Sequence, residues 1–195
     1  MRFPPLCVRT FGAFALSIST VSSAQGQAWY ATLSGAEESP PVTSIGFGYV
    51  NLALAGNLLT ISATFGGLTG LTTAAHIHCC TTLPSDNVGV ATQTPSFVGF
   101  PLGVTNGVFV NTFDLTLASS FRAGFITANG GTVATAHAAL LNGMNSGRSY
   151  FNVHTSFAPG GEIRGIINVV PEPGTYALMA TGLLALGLVV RRRCL

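Results

Sequence analysis

The chain has 195 residues, of which 7 % are charged, with eight basic residues against six acidic ones. A length of this order holds one domain plus targeting segments and leaves no room for a second core. All eight basic residues are arginines, and five of them (Arg2, Arg9, Arg191, Arg192, Arg193) sit near the ends. Between residues 25 and 170, three arginines against five acids leave a formal charge of −2, which speaks against a nucleic-acid partner.

The first segment, 1–24, has Arg2 and Arg9 in a short basic region, an apolar run over 11–21, and small residues Ser22 and Ala24 before a cut site. That is the three-part layout of a secretory signal helix, removed after Ala24 or Ala28. Cys7 leaves with it, and no lipoprotein motif leads into that cysteine.

From Trp29 the apolar pattern has period two, the period of a strand with one buried face. Strands are expected over 29–33, 47–54 and 58–65, with Gly56-Asn57 turning the last two into a hairpin. Further strands are expected over 73–79, 109–117, 149–154 and 162–168. Gly, Ser, Thr, Asn and Pro fill the gaps, which suits an all-β antiparallel β-sandwich. One segment departs from this: 132–142 is rich in Ala and Leu between Gly131 and Gly143, and reads as a short helix across one end. Segments 39–44 and 83–107 read as flexible, the second as a surface excursion.

Three strings carry chemistry: LSGAEESPPV from Leu33, AAHIHCC from Ala74 and FNVHTSFAPGGEIRG from Phe151. Together, across 29–169, they resemble the CHRD domain, the repeated module of the animal protein chordin. The resemblance implies an extracellular binding domain and no catalytic activity.

His76 and His78 lie two apart on one strand, so both imidazoles leave the same face and can share one metal ion. His154 lies on another strand and faces with Tyr150 and Asn152. This set is similar to the copper site of copper-zinc superoxide dismutase, also a β-sandwich. No bridging histidine follows, however, and Glu162 falls near the place of the dismutases' anion-steering arginine, so dismutase activity is not expected. Two readings of the histidines stand: a copper or zinc site, or hydrogen-bonded residues that pin loops, with Glu162 and Arg164 forming an ion pair near Pro159-Gly160-Gly161. Cys79 and Cys80 are read as a disulfide between neighbours, as buried thiols, or as soft metal ligands. Glu37 and Glu38 point to opposite faces of an extended chain, so they read as turn residues and not as an acid–base dyad.

The last segment, 170–195, opens on Pro171-Glu172-Pro173, continues uncharged over 176–190 and closes on Arg191, Arg192 and Arg193. It resembles the PEP-CTERM sorting signal. At about 1.5 Å per residue its uncharged run is short for a hydrocarbon core of about 30 Å, but flanking residues and snorkelling arginines extend it into a transmembrane helix. The arginines predict a cytoplasmic end, with the domain facing the periplasm from the inner membrane. The resemblance implies processing by an exosortase-type enzyme, followed by release to the cell surface or medium. Two functions follow: a non-catalytic envelope or biofilm-matrix module that contacts polysaccharide or an envelope protein, or a periplasmic redox protein holding copper or zinc on His76, His78 and His154.

Overall fold

A computed structural model describes residues 26–83, 86–171 and 173–193. The signal segment 1–24 and Glu172 lie outside the described residues, as do the side chains of Arg191, Arg192 and Arg193. The domain is all-β and antiparallel. Strands β1 (Gln27–Ser34), β2 (Phe47–Ala55), β3 (Leu58–Gly66), β4 (Thr72–Cys79), β5 (Gly107–Asp114), β6 (Ser149–Thr155), β7 (Ile163–Ile166) and β8 (Asn168–Val169) form one sheet in the order β4-β6-β7-β1-β2-β3-β5, with β8 also on β1. This sheet curls into a half-barrel.

The alternation seen in the sequence decides which side faces the core. Trp29, Ala31 and Leu33 of β1, Val50 and Leu52 of β2, and Leu59, Ile61, Ala63 and Phe65 of β3 are buried on the inner side. Ile77, Phe151, Val153 and Ile163 continue that side through β4, β6 and β7. Each full burial of such a side chain contributes about 1.5–3 kcal/mol of apolar transfer.

The long segment between β4 and β5 is not flexible in the way its length suggests. Phe97 and Phe100 are buried, and Phe97 stacks on Phe151 of β6 at 5.8 Å and against Phe113 of β5 at 5.1 Å. Phe97 therefore bridges edge strand β5 to β6, the strand next to the opposite edge, and closes the open side of the curl. Backbone bonds from Ala91 to Ile77 and from Phe97 to Ala75 bind the same segment to the edge of β4. A segment with aromatic residues at its centre is core covering, whatever its secondary structure.

The expected helix is α2 (Val133–Asn145), which begins with a reciprocal capping box between Thr132 and Thr135. A six-residue helix α1 (Ala123–Ala128) precedes it, too short to leave a periodic signature. Helix α2 packs flush on a disulfide between Cys79 and Cys80, with Gly143 at the point of contact. A β-carbon there would lie 2.7 Å from Ser149 Oγ and 2.8 Å from Cys80 Sγ, so only glycine lets the helix come this close. Helix α3 (Pro173–Arg193) covers the segment expected to cross a membrane. Among the described residues, however, no helix is long and apolar enough to do so.

Candidate metal centre

The outer face of β4 and β6 is where the three histidines meet. His76 pairs in register with Asn152, His78 with Tyr150, and Ala74 with His154, so the even-numbered side chains of both strands share one face. The imidazoles of His76, His78 and His154 form a triangle with ring centroids 5.1–5.8 Å apart. One nitrogen from each lies within 4.8 Å of the other two. Nitrogens about 2.0–2.1 Å from a shared tetrahedral ion stand roughly 3.4 Å apart, so rotations of order 1 Å complete the coordination.

Each ring is held by a backbone carbonyl. His76 Nε2 bonds Pro95 O at 2.6 Å, His78 Nδ1 bonds Val88 O at 2.7 Å, and His154 Nδ1 bonds Pro159 O at 2.9 Å. A carbonyl only accepts, so each of these nitrogens carries the proton and donates it. The opposite nitrogens, His76 Nδ1, His78 Nε2 and His154 Nε2, are left with lone pairs, and all three are buried without a hydrogen-bond partner among the described residues. An unpaired buried acceptor costs about 1–3 kcal/mol, and this site carries three of them close together. A carbonyl behind each ring is also the usual support of a metal-ligating histidine, because it fixes the tautomer and the ring orientation.

Charge follows the same logic. Burial lowers His76 and His78 to about 4, more than their carbonyl bonds raise them, and burial also lowers His154. The rings are neutral at pH 7, the form that binds metal.

A second layer orders the site. Tyr150 stacks on His78 at 4.7 Å with the planes 7° apart, and the Arg164 guanidinium lies 4.7 Å from the centre of the Tyr150 ring. Arg164 is buried and donates to Glu37 O and, at 2.8 Å, to Asn87 Oδ1. Its acid is Glu38, at 3.9 Å. Burial pushes the Glu38 carboxyl up to about 7 against the pull of Arg164.

The expected Glu162–Arg164 pair does not form. Glu162 and Arg164 are two apart on a chain that alternates, but Glu162 turns away into a knot of donors. Its carboxylate accepts from Ser44 Oγ at 2.6 Å, Thr69 N at 2.6 Å, Gly70 N at 3.1 Å and Thr155 Oγ1 at 2.6 Å. Burial alone would raise this carboxyl; these four bonds outweigh it and hold it below the usual range. Glu162 thus ties three loops together and takes no part in the histidine site. Cys79 and Cys80 are bonded to each other, on and beyond the end of β4, and so are not metal ligands in this state.

Sequence reasoning found the histidines but missed Glu38 and Arg164 as their neighbours. Tyr150 and Asn152 were visible as the same face of the strand that carries His154. For Glu38 the only available signal was its position in a string together with the histidine motifs.

A family model described as the CHRD domain matches residues 29–167. The chain belongs to the CHRD family. A PEP-CTERM protein-sorting motif matches residues 169–193, directly behind the domain and including Pro171 and Pro173. This CHRD protein is therefore directed to export and exosortase-type sorting toward the envelope or cell surface. No curated protein and no solved structure matches the chain.

Proposed function

We propose that this CHRD domain is an exported metal-holding module, with His76, His78 and His154 as three neutral ligands to one zinc or copper ion. The single observation that carries the reading is the convergence of three unpartnered buried imidazole nitrogens, each set by a carbonyl on the far side of its ring. Imidazole donors suit zinc and copper, and three protein ligands leave a position open. The reading assigns the site metal binding and asks no turnover of it. Metal analysis of the purified full chain tests the reading. Stoichiometric metal that disappears in the His76→Ala, His78→Ala double variant supports it; metal-free protein after growth and purification with added zinc and copper overturns it.

A second reading, an envelope or biofilm-matrix contact module, is favoured by the outer face of β1, β2 and β3. Tyr30, Phe47 and Tyr49 are 45–58 % exposed there among Thr, Ser and Asn, with no charged residue in the patch. A face of that kind suits contact with a neutral polymer or another envelope protein. Under either reading we propose that the tail, whose apolar run needs its flanking residues and snorkelling arginines to complete a span, holds the protein at the inner membrane, domain outward, until the exosortase-type enzyme acts. Fractionating cells that express the chain without residues 171–195 tests this step: release from the membrane fraction is expected, and unchanged retention overturns it.

A further inference from the structure

A cavity of about 560 Å³ is lined by Val88, Gly89 and Val90 and by none of the three histidines, although its Arg122 is near enough to His76 to disfavour the charged ring. Its floor is apolar: the Cys79–Cys80 disulfide, Val90 and Phe125. Its rim is cationic. Of the three arginines between residues 26 and 171, Arg164 is buried, and the two that reach solvent, Arg122 and Arg148, both line this cavity. Among the described residues no acidic one lines it. In a domain with a formal charge of −2, both free-standing cations therefore converge on one opening.

These guanidinium groups are only slightly used by the protein. Arg148 donates through Nε to Thr81 O at 2.5 Å, which fixes its stem and leaves its two terminal nitrogens for a ligand. Among the described residues nothing accepts a hydrogen bond from the Arg122 guanidinium; its backbone amide donates to Ala91 O. A guanidinium presents paired donors that match a carboxylate in two-pronged geometry, and two of them over an apolar floor favour an anion attached to a ring. The volume lies within the range of small-molecule sites, roughly 300–1,000 Å³.

We propose that this cavity binds a carboxylate carried on one or two rings of sugar size, with Arg122 and Arg148 taking the carboxylate and the disulfide and Phe125 taking the apolar ring face. The site is independent of the metal reading, although Val88 serves both: it lines the cavity, and its carbonyl holds His78.

The test is calorimetric titration of the purified full chain with digalacturonate, benzoate, maltose and inorganic phosphate at low salt. Saturable binding of digalacturonate is expected, weakened at least tenfold in Arg122→Gln and in Arg148→Gln, and weakened by added salt. Binding of benzoate in its place, with the same loss in both variants, also supports the site and assigns it to aromatic acids. Ala128→Trp, which fills the cavity while keeping both charges, is expected to abolish binding. Equal binding of maltose, binding of phosphate alone, or full binding by an Arg122→Gln, Arg148→Gln double variant with an unchanged melting curve would overturn the proposal. Metal content measured on the same samples separates its failure from failure of the metal centre.

Discussion

The outer face of the sheet is continuous from one edge to the other, yet its two ends have opposite fates. At the β2-β3-β5 end, Phe47, Tyr49, Val108 and Val110 stand in solvent above a well-packed inner side. At the β4-β6-β7 end the same face is roofed by the chain segments around Glu38, Val88, Pro95 and Pro159, and it holds His76, His78, Asn152 and Arg164 in near-complete burial. Identical strand geometry supports both ends. The difference lies in the loops: where they cover a face, polar side chains must find partners inside, and where they do not, water supplies them. The three imidazole nitrogens, with Glu38 Oε1 and Asn152 Oδ1 beside them, are where covering outran pairing.

If the roofed end is the costly one, perturbing it should matter far more than perturbing the bare end. The largest expected effect is of pH on the metal-free domain. His76 and His78 titrate near 4 when folded against 6.5 otherwise, so between these values the unfolded chain binds more protons. Stability is then fully present above pH 6.5 and lost as pH falls toward 4. Glu38, raised to about 7 when folded, binds its proton more tightly in the folded chain and offsets part of this, so the net loss is about 2–4 kcal/mol, each tenfold difference in proton affinity being worth about 1.4 kcal/mol. Chemical denaturation at pH 7 and pH 4.5 in chelator measures it; equal midpoints would show that the rings are not buried neutral.

Next comes Glu162→Ala, which strands the Thr69 and Gly70 amides and two hydroxyls and should cost about 3–4 kcal/mol, read from the same denaturation curves. Gly143→Ala forces a methyl group against the disulfide and Ser149, with an expected loss of about 1–3 kcal/mol and a lower melting temperature. At the bare end, Tyr49→Ser should change stability by less than about 0.5 kcal/mol. A large loss there would mean that the exposed face is covered in the native protein.

The strands were legible because strict alternation leaves a trace even in a chain with so few charges: Trp29, Ala31 and Leu33 against Tyr30 and Thr32 need no other information. The pair His76 and His78 was legible for the same reason, being two apart on such a strand. Long-range partners were not. That Arg164 would meet Glu38 rather than its near neighbour Glu162 depends on which loop folds over which face, and no local spacing encodes that. The segment 83–107 reads as flexible because turn-forming residues dominate it, whereas Phe97 and Phe100, the residues that anchor it, are too far apart to make a period. Helix α1 escaped notice through brevity.

Strand β8 ends the domain by pairing Val169 with Trp29, and the Val170 amide donates the last bond, to Ala28 O, at 2.9 Å. Everything the fold needs from the C-terminus is thus spent one residue before Pro171. A peptidase that severs the chain within the proline-flanked motif removes the sorting tail without undoing a single rung of the ladder. Loss of the sorting tail and survival of the folded module are, in this architecture, separate events.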